Sequence, residues 1–230
     1  MIKLYIGTSN KYKLKEYYSY LSNLTYKFEL LSINLEVDEP YNTVSENAEH
    51  KAKIYSNHVD GLVVSDDLGL FVNSLDGLPG VYSARFYNAI TEIDSTGSLC
   101  ISGFDNTLTP KPKDINELNI QKVLSTVRTY PVNNLSYFNI KCHYNTSICI
   151  ASKGKILKTI NGKCEGYVAD KPYGKGGFGY DSIFIPSFEI TKDTPKTFAE
   201  LKEKDAKLIA ARGNTLPKLK LWLENFIFDK

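Results

Sequence analysis

Leu62-Val63-Val64-Ser65-Asp66-Asp67 sets an unbroken apolar run directly against two adjacent carboxylates. A short run of this kind bounded by polar residues reads as a strand buried on both faces, the pattern of a sheet covered by helices. The run is expected to stop at Ser65, leaving the two acids at the carboxyl tip of the strand. Working outward, Ile2, Leu4 and Ile6 alternate as a first strand, and Gly7-Thr8-Ser9-Asn10 supplies turn and N-cap chemistry behind it. Leu14, Tyr17, Tyr18 and Leu21 then recur at helical spacing. A second helix is expected from about Val44 to Val59, with Ala48, Ala52 and Tyr55 on one stripe. Strand, helix and strand with acids at a strand tip give an α/β architecture whose site lies at the carboxyl ends of the strands.

Further along, residues 91–114 lack periodicity and carry Ser, Gly, Thr and Pro-flanked lysines, so they read as an exposed, flexible insertion within a single domain spanning 1–230. Ile120, Val123, Leu124 and Val127 mark a helix face. Residues 137–168, broken by Ser152-Lys153-Gly154-Lys155, read as two or three antiparallel strands. A glycine-rich turn at 174–179 leads into the apolar strand Ile183-Phe184-Ile185, and two helical stretches parted near Gly213 close the chain. In the last of them Leu216, Leu219, Leu223 and Phe226 form the expected buried stripe, and Pro217 suits its first turn.

The 230 residues are 42% hydrophobic and 23% charged with a net charge of +2, an ordinary balance for a globular protein. That balance argues against a dedicated nucleic-acid or membrane-surface binder, whose basic residues dominate one face. The N-terminus has no long apolar core of a signal peptide, and no stretch approaches the roughly 18 apolar residues of a membrane helix, so a cytoplasmic protein is expected. Four cysteines without a CxxC pair read as reduced thiols, and the three histidines lack metal-ligand spacing.

Four stretches carry chemistry. Thr8-Ser9-Asn10-Lys11-Tyr12-Lys13, at a strand-to-helix junction, reads either as an anion site, with helix N–H groups and Lys13 pointing back at it, or as an ordinary N-cap with a solvated lysine. Asp66-Asp67, with Glu36, Asp38, Glu39 and Glu46 upstream, suits a hard cation such as Mg2+ and a carboxylate general base, or simply the start of a solvated loop. Gly174-Lys175-Gly176-Gly177-Phe178-Gly179-Tyr180-Asp181 contains a formal GxGxxG, but it leads into a strand, whereas a dinucleotide-binding turn opens a helix. It reads instead as a platform on which Phe178 stacks a planar base and Asp181 accepts from a ring N–H, or as a glycine turn with Phe178 in the core. Arg212, after Lys196-Thr197-Phe198-Ala199-Glu200-Leu201, is either a fork for phosphate or base carbonyl, or a surface arginine. Lys51 beside the Ala48/Ala52 stripe reads either as pointing inward to Asp66 or Glu46 or as a solvated edge lysine, and the solvated position is the one expected.

Taken in order, Thr8-x-Asn10-x-x-Lys13, Glu46-Asn47-Ala48-x-x-Lys51-Ala52, Ser65-Asp66-Asp67-x-Gly69-Leu70, Leu78-Pro79-Gly80-Val81-Tyr82-Ser83-Ala84-Arg85, Gly177-Phe178-Gly179-Tyr180-Asp181 and Lys196-Thr197-Phe198-Ala199-Glu200 closely resemble the inosine/xanthosine triphosphate pyrophosphatase (Ham1-like) family. The resemblance implies an elongated α/β fold with a central mixed sheet flanked by helices, two lobes with a cleft between them, and a homodimer. It implies cleavage of ITP, XTP and dITP between the α and β phosphates, sanitising the nucleotide pool. By matched position, Thr8, Ser9, Asn10, Lys11, Tyr12 and Lys13 are implied to hold the triphosphate. Asp67 is implied as Mg2+ ligand and general base, with Glu39 or Glu46 as a second acidic contact to the metal. Phe178, Gly179, Tyr180 and Asp181 are implied to hold the purine, and Arg212 remains as a further substrate contact. The chain departs from the pattern at Leu68, where serine or threonine is usual, at Ala206 in place of lysine, and at Ala210-Ala211 in place of Ser-His. These departures imply intact phosphate and metal handling with altered purine reading. The alternative is a non-catalytic nucleotide-binding relative, which Ala206, Ala210 and Ala211 favour; Asp66-Asp67 and Lys13 oppose it, because a mere binder has no need of a general base.

Overall fold

The computed structural model describes residues 2–24, 28–33, 35–130, 140–204 and 215–226. In chain order the elements are β1 (Ile2–Gly7), α1 (Lys11–Leu21), β2 (Phe28–Ile33), α2 (Val44–Asn57), β3 (Leu62–Val72) and β4 (Pro79–Gly80). They continue with β5 (Ala89–Ile93), β6 (Leu99–Phe104), α3 (Ile115–Thr129), β7 (Lys141–Ser152), β8 (Lys155–Val168), β9 (Phe184–Pro186), α4 (Phe198–Lys204) and α5 (Thr215–Asn225). One mixed sheet has the order β2-β1-β3-β7-β8-β9, with β4 added on β3, and helices flank it. The chain forms two compact units, one of Met1–Leu68, Asn145–Lys163 and Arg212–Lys230, the other of Gly69–Tyr144 and Cys164–Ala211.

In the first unit β1 pairs in parallel with both β2 and β3, with Leu4 opposite Leu62 and Gly7 opposite Ser65. Parallel neighbours need crossovers, and crossovers are right-handed. The path β1–α1–β2 steps one way along the sheet and β2–α2–β3 steps back past β1, so α1 and α2 cover opposite faces and β1/β3 is the switch point. Strand β2 has no counterpart among the elements expected from the sequence. Helix α2 starts in a capping box: Thr43 Oγ1 accepts from Glu46 N at 3.2 Å and donates to Glu46 Oε2 at 2.7 Å. It ends at Asn57 with His58 as C-cap, short of the expected Val59. Ala48 and Ala52 pack on Cys149 and Ala151 of β7, where small side chains let helix and sheet approach closely. The β7–β8 connection is the two residues Lys153 and Gly154, both with positive φ (48° and 74°), the requirement of a tight hairpin turn. Helix α5 buries Leu216, Leu219 and Leu223 completely. Phe226, expected on the same stripe, lies past the helix end half-buried, its ring 4.5 Å from that of Trp222.

In the second unit the end of β3 pairs antiparallel with β4, Leu70 opposite Gly80. Ser83 Oγ locks this corner, accepting from Leu70 N at 2.9 Å and donating to the Gly80 carbonyl at 2.6 Å. Helix α3 buries Ile120, Val123, Leu124 and Val127, and β9 pairs with the end of β8. Tyr144, Phe184 and Phe198 stack as an aromatic core, the first two 4.5 Å apart and the last two 4.9 Å apart. The aperiodic reading of 91–114 is corrected over its first half: β5 and β6 pair as an antiparallel hairpin, and Asp94 Oδ1 organises its turn by accepting from Thr96 N, Thr96 Oγ1 and Ser98 N. Each strand has a single buried residue, Ala89 and Leu99, the rest being half-buried or exposed, so no buried face imposed an alternation that the sequence could display.

Candidate active site

The acids are not at a strand tip. Strand β3 runs on from Leu62 to Val72, and Asp66 and Asp67 lie in its middle, buried to 2% and 6% exposure. The expected geometry survives relative to β1, because β1 ends at Gly7 opposite Ser65 and the next residue of β3 is Asp66. Successive strand residues face opposite sides. Asp66 therefore meets α1, where Lys13 Nζ lies 3.0 Å from Asp66 Oδ2. Asp67 meets α2, where Asn47 Nδ2 donates to Oδ2 at 3.4 Å and Lys51 Nζ is 3.8 Å from Oδ1. The Leu68 N–H donates back to Asp67 Oδ1 at 2.9 Å. Lys51 also pairs with Glu39.

Three carboxylates (Asp66, Asp67, Glu39) thus share two ammonium groups (Lys13, Lys51). Burial pushes the Asp67 carboxyl above the usual range, Lys51 pulls it back, and the Glu39 charge raises it again. Burial lowers the Lys51 ammonium, but Asp67, Glu39 and Asp66 outweigh it, and the net direction is up. Both shifts follow from burial and from the carboxylates packed around these two groups.

The β1–α1 junction realises the N-cap. Asn10 Oδ1 accepts from Tyr12 N at 2.9 Å and Lys13 N at 3.2 Å, and Thr8 Oγ1 accepts from Asn10 N at 3.2 Å. Asn10 thus occupies two helix N–H groups that the anion reading leaves open, and an arriving phosphate meets the side chains and the helix dipole first. Ser9, Lys11 and Tyr12 are exposed. The junction is fixed from below: a Cβ on Gly7 would stand 2.4 Å from the Tyr55 ring, so only glycine lets α2 lie this close.

Among the upstream acids, Glu39 joins the cluster. Glu46 is exposed and held in the capping box, and Asp38 faces His50 at 3.2 Å. Lys51, expected in solvent, is buried between acids. Asn47 was missed as a contact to Asp67, although Asn47, Lys51 and Tyr55 recur every fourth residue, a signal that polar groups sit on the buried face of α2.

In the second unit the loop 174–181 folds back on itself. Gly174, Gly177 and Gly179 have positive φ, and a Cβ on Gly177 would fall 2.1 Å from Asp181 Oδ2. That oxygen accepts from Phe178 N at 3.0 Å and from Lys202 Nζ at 2.9 Å. Phe178 is half-buried and stays outside the aromatic core, with Lys202 Nζ 5.3 Å from its ring centroid. Tyr180 is buried and donates to the Ser83 carbonyl at 2.8 Å, which anchors the loop. Arg85 lies over the rings of Tyr82 and Phe104 at 5.3 and 5.7 Å. Arg212, Ala206, Ala210 and Ala211 lie outside the described residues.

Among the described residues no three acidic, histidine or cysteine groups form a protein-only metal cage. The donors present among the described residues are the hard oxygens of Asp67 and Glu39, which share Lys51. That set fits Mg2+, which takes one or two carboxylates and fills its octahedron with waters and substrate phosphates.

Buried carboxylates and a lysine-bearing helix N-terminus at the switch point of a parallel sheet define the class of α/β proteins that handle phosphates. Residues 4–222 match the model of the Ham1 family, and the chain belongs to that family. It is 32% identical to the dITP/XTP pyrophosphatase of Thermoanaerobacter pseudethanolicus over 100% of both chains. It is also 32% identical to the dITP/XTP pyrophosphatase of Bacillus subtilis, across 95% of this chain and 96% of that one. A solved structure of a HAM1 protein from Coxiella burnetii aligns with a TM-score of 0.73 at 24% identity, over 98% of this chain and 100% of that one, a likeness of fold.

Proposed function

We propose that this chain hydrolyses non-standard purine nucleoside triphosphates, ITP, XTP and dITP, to the monophosphate and pyrophosphate, clearing them from the nucleotide pool. The observation that carries the reading is the buried Asp67, held by Asn47 and Lys51 and set beside the Lys13–Asp66 pair at the end of β1. Water adds across the α–β phosphoanhydride; its proton goes to Asp67, and the broken bond leaves pyrophosphate. Burial and the Glu39 charge make Asp67 a better base than an exposed aspartate. Lys13, with Thr8, Ser9, Asn10, Lys11 and Tyr12 around the start of α1, holds the phosphates and offsets the charge developing on the leaving group. Mg2+, held by Asp67 and Glu39, supplies charge neutralisation to the phosphate oxygens when bound. Phe178 to Asp181 take the purine.

The family resemblance also supports a homodimer working in the cytoplasm. Among the described residues no helix is long and apolar enough to cross a membrane.

Pyrophosphate release from ITP, XTP, dITP, GTP and ATP with Mg2+, beside an Asp67→Asn control, tests the reading. Fast release from the first three, lost in the control or with chelator, is the expected result. Binding without turnover overturns it.

A further inference from the structure

Lys202 and Asp181 form an ion pair at 2.9 Å whose side chains are only 6% and 4% exposed. A buried pair of this kind adds little stability, because desolvation cancels much of the attraction. Stability therefore does not account for its place against the ring of Phe178. The pair is held firmly. The Ala199 N–H of α4 donates to the Asp181 carbonyl at 3.0 Å, and a Cβ on Gly174 or Gly176 would come within 2.5 Å of the α4 backbone. Lys202 follows Ala199 by three residues, so it emerges from the same side of α4 as the turn touching the loop.

The chemistry of the pair is specific. An ammonium only donates and a carboxylate only accepts. The Watson–Crick edge of a 6-oxopurine sets a carbonyl acceptor beside an N1–H donor. Adenine reverses both, with an amino donor beside an acceptor nitrogen. We propose that Lys202 is the specificity-determining residue of the base site: its ammonium donates to the 6-oxo group while Asp181 accepts from N1–H, with the base stacked on Phe178. The inference rests on the nucleotide reading above and deepens it. Adenine in the same pose faces donor with donor and acceptor with acceptor. Guanine shares the hypoxanthine edge, so the pair separates 6-oxopurines from adenine and leaves ITP and GTP to be told apart elsewhere.

The test compares Lys202→Met, Lys202→Gln and Lys202→Arg with the parent chain, each checked by thermal melting. Two ratios are read: kcat/KM for ITP over ATP, and equilibrium affinity for ITP over ATP in an Asp67→Asn background. Lys202→Met is expected to lower both ratios about ten- to a hundredfold, the worth of a charge-assisted hydrogen bond. The loss falls on ITP and GTP alike and spares ATP, whereas Lys202→Arg keeps most of the preference. Lys202→Gln, which retains a donor for Asp181, gives an intermediate ratio in a folded protein should the methionine variant melt. An unchanged ratio, or an equal loss on every nucleotide, overturns the inference. A parent chain that turns over ITP while the ratio stays flat leaves the hydrolase standing and removes Lys202. A shifted binding ratio without turnover in the parent does the reverse. No binding of either nucleotide removes both.

Discussion

The two charged regions of this molecule use the same elements in opposite ways. Around β3 in the first unit, the described side chains set three carboxylates, Asp66, Asp67 and Glu39, against two lysines, Lys13 and Lys51. In the loop 174–181 of the second unit one carboxylate meets one lysine against an aromatic ring. Buried carboxylates packed together suit a cation and hold a base above its ordinary pKa. A carboxylate beside an ammonium offers directional donors and acceptors suited to reading a shape. The difference fits the roles proposed above, acting on charge for the first region and discriminating for the second.

The sharpest way to break the contrast is Asp67→Asn. It keeps the side-chain shape and removes one of the crowded carboxylates, so turnover should fall by about 10²–10⁴-fold. Removing a like charge should also leave the melting temperature in metal-free buffer unchanged or raised. A large drop in melting temperature would show that Asp67 is structural. Next is Lys51→Met, which leaves Asp67 and Glu39 facing each other. Removing one partner of a buried pair costs about 3–5 kcal/mol, a fall of roughly 10 °C for a protein of this size. Mg2+ should restore part of that loss, a recovery that scanning calorimetry measures directly. If Mg2+ restores nothing, the carboxylate cluster is not a cation site.

Phe178→Leu sharpens the other side. Base stacking is worth about 1–3 kcal/mol, so steady-state kinetics should show KM for every purine nucleotide rising roughly five- to a hundredfold with kcat little changed. A fall in kcat instead would place Phe178 near the reacting bond.

The smallest effect concerns two thiols, one in each unit. Burial pushes Cys149 up to about 12, and burial with the Glu165 and Asp181 charges pushes Cys164 up to about 11. A raised thiol pKa favours the neutral form, so at pH 8 about one Cys164 in a thousand is thiolate. Alkylation followed by mass spectrometry should be slow at pH 8 and speed up about tenfold per pH unit towards 11. Asp181→Asn should speed Cys164 and leave Cys149 alone.

Much of this architecture is legible in the chain. Ile2 to Ile6, Leu62 to Val64 and the Ala48/Ala52 stripe announce a covered sheet through burial patterns that local periodicity preserves. The six motifs carry the family, and Asp67, Lys13 and Phe178 stand out within them. Three features were hidden for identifiable reasons. Strand β3 continues through its own acids because neighbouring elements supply the counter-charges, which a window of sequence does not contain. The hairpin β5–β6 buries only Ala89 and Leu99 and has no fully buried face, so nothing forced its residues to alternate. Lys51 reads as a solvent lysine and Lys202 draws no notice, since a long cationic side chain is ordinarily exposed.

The sequence by itself determined the fold class and the family, and singled out the two sets of residues proposed to bear the chemistry, because backbone preference and motif spacing are local. Which lysine serves which carboxylate, that Glu39 rather than Glu46 shares Lys51 with Asp67, and that Lys202 lies over Phe178 were decided by tertiary structure alone. Those pairings depend on Coulomb energy and desolvation between residues far apart in the chain, and such terms exist only once the chain has folded.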